Sequence, residues 1–286
     1  MMQGSLQGKL CVITGGTDGI GLATACGLAA RGARLLLIGK NPDKGAAATA
    51  KIGALAGQGS AEFLRADLSS QAEIHALAKQ IHDRTSQIDV LINNAGGVFM
   101  KRQESVDGIE MTFAVNQIGY FLVTHLLLDL ITKNPQARIV NVSSDLHKGP
   151  QLDFNDLQMR NGYSGMKAYG RSKLANILFS NELARRLQSQ GVCVNSLHPG
   201  FVHSNFGQNN GFLIGRLISL SSGLFGISVE KGAETSIYLA SAPEAAGISG
   251  KYFAHCRQVR PSPESQSEEA AARLWTECER LTGIKQ

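Results

Sequence analysis

The sequence predicts an α/β protein: a single domain over 1–286, built on a doubly wound parallel sheet of about seven strands with helices on both faces. Three observations lead there. Short apolar runs alternate with longer segments of helical periodicity along the chain. Several of the runs are continuously apolar and rich in β-branched residues, as strands covered on both faces must be. A glycine cluster follows the first run directly and opens the first helical segment.

The expected strands are KLCVIT at 9–14, RLLLIG at 34–39, AEFLRA at 61–66, DVLINN at 89–94, RIVNVS at 138–143, VCVNSL at 192–197 and GKYFA at 250–254. Helical segments are expected at about 19–31, 43–56, 70–84, 108–133, 166–190 and 229–241. Right-handed crossovers between parallel strands place a ligand at their carboxyl ends. The tail after Arg260 begins as a polar loop. It then predicts an amphipathic C-terminal helical extension over about 265–283, carrying the single tryptophan, Trp275. The stretch 203–228 is apolar and glycine-punctuated, with Phe206, Phe212, Leu213, Ile214, Leu217 and Phe225. It reads as a lid over an apolar substrate, or as a packing or subunit surface. Arg216 and the interspersed Ser and Gly argue against a transmembrane helix there.

Composition narrows the function. With 286 residues, 43% hydrophobic and 18% charged, the chain can bury one large core. The net charge is +5, yet no dense Lys/Arg run or basic–aromatic interleaving occurs, which argues against a nucleic-acid partner. The five cysteines are scattered without C-x-x-C spacing, which argues against a disulfide framework and a metal site and fits a reducing compartment, so a cytoplasmic location is expected. No apolar run precedes the first strand, so neither signal peptide nor anchor is expected.

The cluster ITGGTDGIGLA spaces its glycines as Gly15-x-x-x-Gly19-x-Gly21. Glycines let the backbone turn sharply and approach a pyrophosphate, and the N-terminus of the following helix favours negative charge. The loop of Gly15, Thr17, Asp18, Gly19, Ile20 and Gly21 is therefore the expected cofactor cradle of a Rossmann-type sheet. At the end of the second strand, LIGKNPDKG has no carboxylate at Gly39, Lys40 or Asn41 to take the ribose hydroxyls of NAD. Lys40 would attract a 2′-phosphate, so NADP(H) is expected over NAD(H), with Asn41 beside it.

The ordered set TGGTDGIG (14–21), ADLSS (66–70), NNAGG (93–97), VNQIG (115–119), IVNVSS (139–144), YGRSK (169–173) and HPGFV (198–202) resembles the short-chain dehydrogenase/reductase family. LDFNDLQ (152–158), SKLANILFSNELARRL (172–187) and GAETSIYLASAPE (232–244) resemble its retinol-dehydrogenase-like branch, and protochlorophyllide reductases share part of this pattern. The resemblance implies hydride transfer between a nicotinamide and a carbonyl or alcohol. It implies Tyr169 as acid/base and Lys173 as its electrostatic partner, which also binds the nicotinamide ribose. Ser144, second of the serine pair, would polarise the carbonyl, and Asn116 would support Lys173 through water. These roles meet a physical need. A proton donor must stand beside the developing alkoxide, and a cation one helical turn away lowers a phenol pKa.

Further contacts follow from the same resemblance: Asp67 and Leu68 at the adenine, and Asn93, Ala95 and Gly96 at its ribose. Pro199, Gly200 and Val202 would lie beside the nicotinamide, with Ser204 in place of the family's Thr. Leu146, Tyr163 and Phe206 are expected on the substrate side with Ser144. Family members often form homodimers or homotetramers through their long helices.

Tyr-x-x-x-Lys occurs twice, as Tyr163/Lys167 and Tyr169/Lys173. Gly162 and Gly165 disfavour regular helix at Tyr163. Leu174, Ile177, Leu178, Ala184 and Leu187 repeat at helical spacing downstream of Tyr169, so Tyr169 is the expected acid/base. Two other readings stay open: a C=C reductase of the protochlorophyllide type, and an NADP-binding regulator without catalysis.

Overall fold

Strands β1 (Leu10–Thr14), β2 (Arg34–Gly39), β3 (Ala61–Arg65), β4 (Val90–Asn93), β5 (Arg138–Val142), β6 (Cys193–Leu197) and β7 (Lys251–Ala254) form one parallel sheet in the order β3-β2-β1-β4-β5-β6-β7. They belong to a computed structural model that describes residues 5–202 and 226–284. Every expected strand is present. Their side chains alternate between two cores: Leu10 and Val12 of β1 join one, Cys11 and Ile13 the other. For the inner strands that double burial explains the largely apolar runs, whereas edge strand β3 buries only Leu64.

One core lies under α1 (Gly19–Ala29), α2 (Pro42–Ala56) and α8 (Val229–Ser241). The other lies under α3 (Gln71–His82), α5 (Gly119–Leu126), α7 (Gly165–Arg186) and α9 (Glu268–Thr282). Helices thus cover both faces. Among the described residues no helix is long and apolar enough to cross a membrane.

Two details depart from the expected elements. An eighth strand, Arg257–Gln258, turns back antiparallel on β7. Its turn uses His255 and Cys256 at φ 50° and 58°, positions usually given to Asn or Gly, so the hairpin carried no turn signal. The segment expected as one helix over 108–133 is broken into α4 (Met111–Phe113), a π turn (Ala114–Ile118), α5 and α6 (Leu128–Ile131). The π turn shifts the backbone ladder, with Gly119 N–H donating to the Ala114 carbonyl, and it contains Asn116. Hydrophobic periodicity cannot register one extra residue in a turn that stays buried.

Candidate active site

The sheet order reverses between β1 and β4, and the loops after these strands meet. Thr14 Oγ1 accepts from the N–H groups of both Asn94 and Ala95 at 2.9 and 3.0 Å. The Asn94 amide donates back to the carbonyls of Thr14 and Gly15 at 3.0 and 3.2 Å. Gly15 has φ 63°, and a Cβ there would stand 2.9 Å from the Ala95 Cα. A Cβ at Gly21 would collide with the Gly15 carbonyl oxygen. These glycines let the first loop fold tightly against the 94–96 loop and the start of α1. Asp18 caps α1 by accepting from Gly19 N–H at 2.8 Å, and it pairs with Lys44 of α2. The remaining early N–H groups of α1, at Ile20 and Gly21, have no acceptor inside the helix and suit an anion.

The other cofactor candidates fall around this loop. Thr17 packs on the end of β2, its Oγ1 3.0 Å from where a Gly39 Cβ would lie. Lys40 and Asn41 are exposed beside it, and Asn41 caps α2 at Lys44 N–H, 3.0 Å. Asp67 lies after β3 and accepts from Ser69 N–H and Oγ at 2.9 and 2.7 Å, with buried Leu68 next to it. Val202 packs against Gly232 of α8, which also approaches Ile20. Pro199 and Gly200 precede it after β6. Asn93 departs from the group. Its side chain is buried in the sheet, donating to Thr124 Oγ1 and Asn141 Oδ1 at 2.8 Å each, so Asn94 rather than Asn93 braces the glycine loop. Both residues stand in the NNAGG pattern, and only strand register tells which one points inward. Ser204 and Phe206, with most of the expected lid over 203–228, lie outside the described residues.

Tyr169 and Lys173 sit one turn apart on α7, both buried, with Lys173 Nζ 5.6 Å from the Tyr169 ring centre. The Ser144 hydroxyl hydrogen-bonds to Tyr169. Burial pushes the Tyr169 phenol up to about 12, and the Ser144 bond acts the other way. Burial pulls the Lys173 ammonium down to about 7. Its Nζ donates to the Val142 carbonyl at 2.9 Å and Asn176 Oδ1 at 3.1 Å. The Tyr120 ring centre lies 5.5 Å from the same Nζ. Ser143 points elsewhere: its hydroxyl donates to the Lys173 carbonyl at 2.7 Å.

Asn116 is fully buried in the π turn. Its side chain accepts from Gly97 N–H at 2.8 Å and donates to the Gly97 carbonyl at 3.0 Å and Ser172 Oγ at 2.9 Å. It therefore ties the 94–97 loop to α7. A Cβ on Gly96 would stand 3.4 Å from Asn116 Oδ1 and 3.7 Å from Lys173 Nζ. Gly96 thus leaves open a cradle beside the lysine.

Tyr163 precedes α7, so it shares no helical face with Lys167, which is exposed. Its hydroxyl lies 2.6 Å from the Phe99 carbonyl and 3.0 Å from Glu110 Oε1. Burial pushes this phenol up to about 12 as well, and the Glu110 carboxylate adds to the effect. Leu146 is 47% exposed just past Ser144. The next residue, His147, is buried. Its Nε2 accepts from Ser262 N–H at 3.0 Å, which leaves Nδ1 to carry the proton toward the Ser144 carbonyl at 2.8 Å. Burial holds His147 below its ordinary pKa.

A parallel sheet with a glycine loop at its switch point and a buried Tyr–Lys pair beside a serine defines a dinucleotide-dependent oxidoreductase class. The chain belongs to the short chain dehydrogenase family, whose model matches residues 9–211. Within it the chain falls in the retinol-dehydrogenase-like branch. It is 40% identical to human retinol dehydrogenase 13 over 98% of this chain and 86% of that protein. It is 38% identical to human retinol dehydrogenase 14, with coverage of 98% and 88%. Among solved structures it resembles an uncharacterised protein from Mycobacterium paratuberculosis (TM-score 0.80, 31% identity, 99% and 96% of the two chains). The RhlG/NADP active-site complex of Pseudomonas aeruginosa is similar with TM-score 0.69, 27% identity and coverage of 87% and 95%.

Proposed function

We propose that the chain is an NADP(H)-dependent oxidoreductase that interconverts a carbonyl and an alcohol on a largely apolar molecule, with Tyr169 as acid/base. The observation that carries this reading is the buried Tyr169–Lys173 turn with the Ser144 hydroxyl bonded to Tyr169. A pure dinucleotide binder has no use for a buried proton donor beside a cation.

The residues present fit a nicotinamide cofactor. The Gly15–Gly21 loop and the start of α1 would take the pyrophosphate, and the opening at Gly96 beside Lys173 would take a ribose. Lys40, exposed at the end of β2, would meet a 2′-phosphate, and the lack of a carboxylate there favours NADP(H). When bound, the cofactor supplies or accepts the hydride. Ser144 holds the substrate oxygen, and Tyr169 gives it a proton in reduction or takes one in oxidation. Lys173 in its charged form favours the phenolate and so brings the Tyr169 pKa toward the working range.

Leu146, Met166 and Phe201 are 47%, 48% and 61% exposed. They lie two residues after Ser144, one turn before Tyr169 and directly after Gly200. Exposed apolar side chains flanking the reacting group suit an apolar substrate. The retinol dehydrogenase names of the relatives make retinoids the first molecules to try.

The test follows NADPH and NADH oxidation with retinal and a panel of aromatic and aliphatic ketones, for wild type and Tyr169→Phe. The expected result is turnover favouring NADPH, abolished in the variant while cofactor binding persists. Equal turnover by Tyr169→Phe, or cofactor binding without turnover of any carbonyl, would sink the reading. A better kcat/KM with NADH would remove the NADP preference alone.

A further inference from the structure

We infer that Asn176 is the positioning residue that holds the Lys173 ammonium in place beside Tyr169, so that Asn116 acts on the lysine only through its backbone carbonyl. The inference rests on reading Tyr169 and Lys173 as the proton-handling pair.

Asn176 lies on α7 three residues past Lys173 and is fully buried. Its Oδ1 accepts from Lys173 Nζ at 3.1 Å. Its Nδ2 donates to the Asn116 carbonyl at 2.7 Å and to Gln117 Oε1 at 3.1 Å. The orientation is determined by these partners. A flipped amide would set its oxygen against the Asn116 carbonyl and its NH2 against an ammonium, losing both bonds. The Asn116 amide cannot replace it, because Gly97 and Ser172 occupy both of its ends. The link from the π turn to the lysine therefore runs Asn116 carbonyl, Asn176 amide, Lys173 Nζ.

The Lys173 ammonium has two protein acceptors among the described residues, the Val142 carbonyl and Asn176 Oδ1. The Val142 carbonyl is shared with the Tyr120 hydroxyl at 3.3 Å. The titratable groups facing Lys173 are Tyr169 on its own helix and Tyr120 on α5. The thiol of Cys278 on α9 lies behind Gln117, 3.6 Å from its amide. Among the described residues Lys173 makes no ion pair. Removing Asn176 Oδ1 thus removes a main support of the charged form in a buried site.

The test reads the lysine directly. Protein labelled with 13C at lysine Cε is titrated by NMR, with the Lys173 signal assigned by its loss in Lys173→Met. In Asn176→Ala the Lys173 midpoint should fall by about one pH unit, the scale of one lost hydrogen bond to a charged group. In Asn176→Asp, which keeps the oxygen and adds a negative charge, it should rise above wild type. For alcohol oxidation the acid limb of kcat should move the same way as Tyr169: to higher pH in Asn176→Ala and back in Asn176→Asp. A common Lys173 midpoint in all three proteins would overturn the inference, even if Asn176→Ala is less stable. If Asn176→Ala does not fold, an Asn176→Asp midpoint at the wild-type value overturns it alone. A wild type that turns over no carbonyl would defeat the proposed function, while the lysine titration would still decide the part played by Asn176.

Discussion

The Ser143 hydroxyl donates to the Lys173 backbone carbonyl at 2.7 Å, while its neighbour Ser144 turns its hydroxyl to Tyr169. Successive residues at a strand end point to opposite sides, so one serine anchors α7 and the other faces Tyr169. Ser143→Ala is expected to lower stability by about 1 kcal/mol through the lost buried hydrogen bond, with kcat changed only a few-fold. Ser144→Ala should keep its melting point and lose about 10²-fold in kcat. Urea melts and initial rates on both variants check this; a stable Ser143→Ala without turnover would reverse the assignment.

Tyr163 serves a buried carboxylate. Glu110 accepts from the N–H groups of Thr112 and Phe113 at 2.8 Å each, and the Tyr163 hydroxyl completes its surroundings. Tyr163→Phe should cost about 1–2 kcal/mol through the lost hydroxyl contacts to the Phe99 carbonyl and Glu110, with turnover retained. Tyr169→Phe should instead cost at least ~10²-fold in kcat. Side-by-side rates and melting curves separate the two; a dead, stable Tyr163→Phe would move the chemistry to Tyr163.

His147 couples the Ser144 loop to the tail at Ser262, and does so in its neutral form. Burial holds it below its ordinary 6.5, so the charged form is disfavoured on folding. Its contribution to stability is therefore full above pH 6.5 and is lost as pH falls below that value, until the folded pKa is passed. Burial lowers His125 and His198 too, and they add with the same sign. Melting temperature should drop on the acid side, with a shallower slope in His147→Asn. Parallel slopes for both proteins would clear His147 of any part in it.

Trp275 packs the C-terminal helix α9 against α5 and α7. Its ring lies 5.1 Å from Phe121 and 5.9 Å from Phe179, with the Arg186 guanidinium 4.2 Å above it. Its Nε1 donates to Glu279 at 2.7 Å. Trp275→Ala should cost about 3–5 kcal/mol. Because α9 packs on α7, the helix that carries Tyr169, the loss should also appear as faster thermal inactivation of turnover. A change under about 1 kcal/mol would show that α9 docks weakly.

Much of this was legible in one dimension because the physical rules involved are local. The inner strands could be read because double burial writes itself as largely apolar runs, and edge strand β3, with only Leu64 buried, because it falls between two helical segments. The helix over Tyr169 could be told from the stretch around Tyr163 because Gly162 and Gly165 weaken helix where downstream leucines support it, and α7 indeed begins at Gly165. The glycine loop could be read because close backbone approach admits only glycine, as the Gly15 and Gly21 collisions show.

Tertiary structure decided which polar atoms meet. Nothing in NNAGG separates Asn93, spent inside the sheet, from Asn94, which braces the loop. Nothing in YGRSKLAN marks Asn176 as the partner of Lys173, since its hydrogen bonds cross to a π turn 59 and 60 residues away in the chain. The link from His147 to Ser262 spans 115 residues and has no sequence signal. The sequence by itself determined the sheet, the glycine loop and the Tyr–Lys turn, because each rests on neighbours in the chain. The hydrogen-bond network around the lysine was decided only on folding, because buried polar groups take whichever partners packing brings within reach.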